Sequence, residues 1–160
     1  MFDESWLRQN AHRVIGGPPA PDPAPHSAPA CLTEEEEHRA VIAWRDRTVC
    51  ARPALADLTH FPSGGKRTTA EAGVFRALGL LPGFPDLMLF HRSGSYVGLA
   101  VEMKGADRRG RLGDLSDSQA GRLIRLAAQG WAVDVCWTAE QFVFAATNYL
   151  DEPDTFVGGL

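Results

Sequence analysis

A chain of 160 residues, 44% of them hydrophobic and 22% charged, holds enough apolar material for one soluble domain with a genuine core. Its formal net charge of −4 excludes a generic polyanion binder, whose affinity comes from many basic groups neutralising phosphates, so any nucleic-acid contact must rest on local basic clusters. No apolar run approaches the roughly 20 residues of a membrane span, the N-terminus lacks the pattern of a secretory signal, and Cys31, Cys50 and Cys136 form no Cys-x-x-Cys pair, so free thiols and a cytoplasmic setting are expected.

Residues 1–15, with Phe2, Trp6, Leu7 and Val14, read as a short amphipathic helix or a disordered tail. Proline and alanine dominate residues 16–31, a composition that favours an extended linker. The domain is expected over 32–150, with an irregular tail at 151–160.

Thr33-Glu34-Glu35-Glu36 fits a capping box, which opens a helix continuing through Val41 and Trp44 to about Arg47. On a 3.6-residue period Glu37 shares a face with Val41 and Trp44, and Glu34 lies near that face. Glu37 is therefore the favoured core-facing acid and Glu34 the second; His38 reads as a surface residue. The alternative for the whole acidic run is a solvated helix start, favoured by the helix N-terminal field.

A strand at Asp57 to Phe61 leads into Pro62-Ser63-Gly64-Gly65-Lys66-Arg67. Glycines there can expose backbone amides while Lys66 and Arg67 bring positive charge, a combination suited to phosphate, although an ordinary strand-to-helix loop has the same composition. A helix from Ala70 to Leu78 should stop at Gly79.

Gly83-Phe84-Pro85-Asp86 then opens the apolar run Leu87 to Phe90, and Glu102-Met103-Lys104 continues the run Val97 to Val101. In the second run Val97, Leu99, Val101 and Met103 alternate with Gly98, Ala100, Glu102 and Lys104, so acid and amine share one face of a strand, with small residues leaving space beside them. The segment His91 to Tyr96 reads as the loop of an antiparallel hairpin. A three- or five-residue loop centred on Gly94 sets position 86 opposite position 102, with Cα atoms about 4.5–5.5 Å apart; a two- or four-residue loop puts the acids on opposite faces. Two carboxylates so close cost several kcal/mol unless a cation or proton intervenes. Magnesium suits them, because it takes oxygen ligands and keeps several waters. Lys104 would then orient a water or stabilise a phosphoryl-transfer transition state.

Beyond the hairpin, Arg108, Arg109 and Arg111 make a basic, glycine-containing loop over 105–115. Ser116-Asp117-Ser118-Gln119 is a second capping box, whose helix carries Ala120, Leu123, Ile124 and Ala127 on one face and ends at Gly130. Gln119 can return to the Ser116 backbone or reach a metal-bound water or the substrate, and the two roles look mutually exclusive in geometry. A buried strand over Ala132 to Trp137 and a helix over Ala139 to Leu150 complete a central mixed β-sheet flanked by helices, an α/β fold.

Taken together, these motifs resemble the VRR-NUC (virus-type replication-repair nuclease) family of the PD-(D/E)xK superfamily over about Leu32 to Leu150. The likeness rests on the acidic helix start, His60 to Arg67, Ala77-Leu78-Gly79, Gly83 to Asp86, Glu102 to Lys104 and Leu115 to Gln119. One departure is Ser63, where the family often has asparagine. The resemblance implies a restriction-endonuclease-like core and magnesium- or manganese-dependent hydrolysis of phosphodiesters in branched DNA such as flaps or four-way junctions. It assigns Asp86 and Glu102 as metal ligands, helped by the Met103 carbonyl, and Lys104 as the catalytic amine, and it implies a further acid from the first helix, for which the helical period favours Glu37 over Glu34. It also draws Gln119 toward the site and Ser63, Lys66, Arg67, Arg108, Arg109 and Arg111 toward DNA, with a homodimer expected for symmetric junctions. The competing readings are an accessory DNA-binding subunit that does not cut, and a hydrolase of sugar phosphates or nucleotides.

Overall fold

The computed structural model describes residues 32–61, 73–74, 77–105 and 113–152. The expected first segment and linker, the basic loop residues Ser63, Lys66, Arg67, Arg108, Arg109 and Arg111, and the tail beyond 152 lie outside the described residues. Of the helix expected over 70–78, residues 73, 74 and 77 are described as helical, and Gly79 follows with φ of 90°.

Helix α1 (Glu34–Thr48) begins where the capping box places it: Thr33 accepts from the Glu36 amide and the Glu36 carboxylate accepts from the Thr33 amide. A single 3-10 turn, Pro53–Asp57, leads into β1 (Leu58–His60). After it come β2 (Leu87–Leu89), β3 (Leu99–Met103), α2 (Asp117–Ala128), β4 (Ala132–Cys136) and α3 (Ala139–Asp151). Helix α2 also opens on a two-way capping box, between Ser116 and Gln119, and Gly130 takes a positive φ just past its end.

The sheet order is β1-β2-β3-β4, antiparallel for the first two pairings and parallel for β3 with β4, so the sheet is mixed. All five residues of β3 are buried, because each face is covered by helix. Leu99, Val101 and Met103 join Val41, Phe142 and Tyr149 under α1 and α3. Ala100 joins Met88, Leu123 and Val133 under α2, so the space expected beside the small residues of that face is filled by α2 side chains. Each fully buried large side chain contributes about 1.5–3 kcal/mol through removal from water.

The hairpin differs from expectation in an instructive way. Its turn is two residues long, Gly94-Ser95, closed by hydrogen bonds between Ser93 and Tyr96 in both directions. Between this bridge and the Leu89↔Leu99 pair lie residues 90–92 on one arm and only 97–98 on the other. That extra residue restores the parity of an odd loop. The ladder Leu87↔Val101 therefore continues to Asp86 opposite Glu102.

Candidate active site

Strands β3 and β4 run parallel, so their C-terminal ends lie at one edge of the sheet, where α2 and α3 begin and where ligands bind in open α/β sheets. Two close approaches bring other segments to this edge. A Cβ on Gly105 would stand 2.3 Å from the Glu34 amide nitrogen, so only glycine lets the end of β3 touch the first turn of α1. Gly83 has φ of 71°, and a Cβ there would meet the Ser118 carbonyl oxygen at 2.3 Å; this holds the Gly-x-Pro-Asp turn against the start of α2.

Asp86, Glu102 and Lys104 are all buried at this edge, at 5%, 1% and 9% exposure. The Asp86 Oδ2 accepts from the Met103 amide at 3.1 Å, a cross-strand bond that ties the two motifs together. The Asp86 carbonyl accepts from the Phe61 amide at 2.8 Å and from His60 Nδ1 at 3.0 Å, and since a carbonyl only accepts, His60 carries its proton on Nδ1. Lys104 Nζ stands 3.0 Å from Glu102 Oε1, and its backbone amide donates to the Cys136 carbonyl at 2.7 Å. Burial, reinforced by the Asp86 charge and opposed by Lys104, pushes the Glu102 carboxyl up to about 8.

Gln119 makes the expected return to Ser116, and the other end of its amide meets the Glu102 carboxylate. Its Oε1 accepts from the Ser116 amide at 3.0 Å and from the Ser116 hydroxyl at 2.8 Å, while its Nε2 donates to Glu102 Oε1. A primary amide has an acceptor and a donor end, so capping occupies only one of them.

Helix α1 separates its two candidate acids. Glu37 is buried, and its Oε2 accepts from the Ala139 amide at 2.7 Å, capping the first turn of α3. Glu34, one turn earlier, lines an open cavity of about 680 Å³ together with His38, Arg39, His60 and Asp86. His38 is half-buried rather than a surface residue, with its ring edge-on to His60 at 4.2 Å. Burial, and secondarily His60, lower its pKa against the pull of Asp86. His38 and His60 are the site neighbours that sequence patterning missed; a histidine ending a three-residue strand carries no periodic signal.

Asp86 and Glu102 are the residues that could hold a divalent ion here. Glu102 Oε2 is buried without a hydrogen-bond partner among the described residues, and Asp86 lies across the ladder from it. Among the described residues no three His, Cys, Asp or Glu side chains converge on one point.

The VRR-NUC domain model matches residues 33–140, more than half of the chain. A solved structure titled "VRR_NUC domain protein" is similar, with a TM-score of 0.63 and 27% identity, over 77% of this chain and 92% of that one. None of the curated proteins matches. Within residues 33–140 fall both capping boxes, the ladder that opposes Asp86 to Glu102, and the parallel pair that carries Lys104. The chain belongs to the VRR-NUC family, a nuclease-fold domain.

Proposed function

We propose that the protein is a magnesium- or manganese-dependent nuclease that hydrolyses phosphodiester bonds in DNA, in branched or otherwise structured substrates such as flaps and four-way junctions. The observation that carries this reading is the buried trio itself: Asp86 opposite Glu102, Lys104 Nζ 3.0 Å from Glu102 Oε1, and Glu102 Oε2 without a hydrogen-bond partner among the described residues. Lys104 and Gln119 answer only Oε1 of Glu102, which leaves Oε2 to a proton or an ion.

Asp86, Glu102 and the Met103 carbonyl would hold the ion, and Glu34, which shares a cavity with Asp86, is better placed to join them than Glu37, whose carboxylate serves α3. The bound ion would supply Lewis-acid stabilisation of charge on the phosphoryl group and make a water more acidic. Lys104 brings an ammonium beside the Glu102 carboxylate, from which it can hold the attacking water or neutralise charge on a phosphoryl oxygen. Gln119 donates to the same Glu102 oxygen and holds its rotamer. The first turns of α2 and α3 open at the same edge and favour anions there. Ser63, Lys66, Arg67, Arg108, Arg109 and Arg111 would contact backbone phosphates. None of the described helices is long and apolar enough to cross a membrane. A cytoplasmic setting and a homodimer for symmetric junctions belong to the proposal.

The test is cleavage of a panel of flap, splayed, four-way and linear DNAs with magnesium, comparing the wild type with Asp86→Ala and Lys104→Ala. Each substitution should remove at least about 99% of the rate. Cutting that survives both rejects these roles. Binding without cutting by the wild type points to an accessory subunit, and turnover of mononucleotides alone to a phosphohydrolase.

A further inference from the structure

Around the corner from the carboxylates runs a series of aromatic rings that the hydrolytic chemistry does not use. Phe84 lies 5.1 Å from Phe61, Phe61 lies 6.2 Å from Phe90, and Phe90 meets Trp131 edge-on at 5.4 Å. Phe61, Phe84 and Trp131 are half-buried against the α2 layer, whereas Phe90 is 49% exposed. Trp131 rests on the bare backbone of Gly98, where a Cβ would stand 2.4 Å from its ring. The Arg122 guanidinium lies 5.7 Å above the Phe84 ring, and its Nε is buried without a hydrogen-bond partner among the described residues. A core would hide its largest exposed ring, and a solvated surface would not seat a guanidinium on an aromatic face with a buried N–H left unanswered.

The rings are continuous with the candidate active site at two points. Phe84 belongs to the turn that carries Asp86, and the Phe61 amide donates to the Asp86 carbonyl at 2.8 Å. Positions 86, 88 and 90 share one face of their strand by its period of two, so Phe90 lies about 13 Å along that face from Asp86. We propose that Phe61, Phe84, Phe90 and Trp131, with Arg122, form a stacking platform for unpaired nucleobases of the DNA strand that leaves the cutting site. Aromatic faces and a guanidinium accept any base, because every base has a π-face, and they require that the base be unpaired. The platform rests on the nuclease reading for the position of the strand, and it gives that reading a substrate class: DNA with a single-stranded arm beside the scissile linkage.

The experiment measures binding in calcium, without cleavage, by anisotropy of labelled duplexes carrying either a short thymidine tail or the same tail built of abasic residues. The phosphates are identical, so only base stacking separates the two. Wild-type protein should bind the base-bearing tail about tenfold more tightly; Phe90→Ala should bring the ratio near one, and Phe90→Trp should keep it. Near-equal affinity of the wild type for both tails overturns the platform without any variant. So does a ratio unchanged in Phe90→Ala, or a loss of self-association in that variant with the ratio intact, which would mean that a second copy covers the rings. Base discrimination through Phe90 without cutting in magnesium would sink the nuclease reading and leave the platform standing; cutting without discrimination would do the reverse.

Discussion

Gln119 donates to Glu102 with one end of its amide while the other end caps α2 on Ser116, so a helix start and the buried Glu102 carboxylate are held by one side chain. The two functions separate by mutation. Ser116→Ala breaks the cap alone and should cost about 1 kcal/mol, read as a lower urea midpoint. Gln119→Ala should show the same stability loss together with about a hundredfold slower cleavage. Equal rates for the two variants would mean that the contact with Glu102 contributes nothing to hydrolysis.

The two acids of α1 should divide in the opposite sense. Glu37→Ala leaves the Ala139 amide without its buried acceptor, which should cost about 1–3 kcal/mol of stability. Glu34→Gln, on an exposed first turn, should leave stability within about 0.5 kcal/mol and raise the magnesium concentration needed for half-maximal cleavage. Titrating magnesium against rate for both variants checks this; a larger shift for Glu37→Ala would restore Glu37 as the ligand.

Gly83 and Gly105 hold the site together by what they lack. Gly83→Ala places a Cβ on a backbone with φ of 71° and against the Ser118 carbonyl oxygen, so it should destabilise by more than about 1–2 kcal/mol and slow cleavage in parallel. Gly105→Ala would push α1 from the end of β3, and its effect on rate should exceed that of Gly121→Ala, where the added Cβ meets nothing within 4 Å.

Asp134 supplies a pH signature independent of the site. It is 9% exposed on β4, and burial pushes its carboxyl up to about 7, only partly offset by the Val135 amide at 2.8 Å. The folded state thus holds this proton more tightly than the unfolded chain does. Its contribution favours folding below about pH 4 and is lost as the pH rises toward 7, by an amount on the order of 4 kcal/mol. Asp134→Asn keeps the acceptor and removes the charge, so its urea midpoint should exceed that of the wild type at about pH 8 and nearly equal it at about pH 4. Parallel midpoint curves for the two proteins would contradict this.

Local rules were legible wherever one segment sufficed to satisfy them. Thr33 with Glu36, and Ser116 with Gln119, close hydrogen bonds within four residues, so both helix starts could be read directly from residue types. Alternation likewise put Glu102 and Lys104 on one face of β3, since that depends on the pleat alone. The hairpin was harder. Its two-residue turn alone predicts the wrong parity, and only the extra residue between Leu89 and Ser93 returns Asp86 to Glu102.

What the sequence by itself determined, then, is which residues carry charge, where each helix begins and which side chains share a strand face, because these follow from bonding over a few residues. Tertiary structure decided everything that depends on a distant partner: that Glu37 caps α3 across 102 positions while Glu34 meets the cavity, that Gln119 serves two groups, and that four aromatic rings from separate segments form one series. Periodicity assigns a side chain to a face but not to a neighbour. Neighbours across the fold are chosen by how the two apolar layers pack, and that choice is made by the whole chain at once.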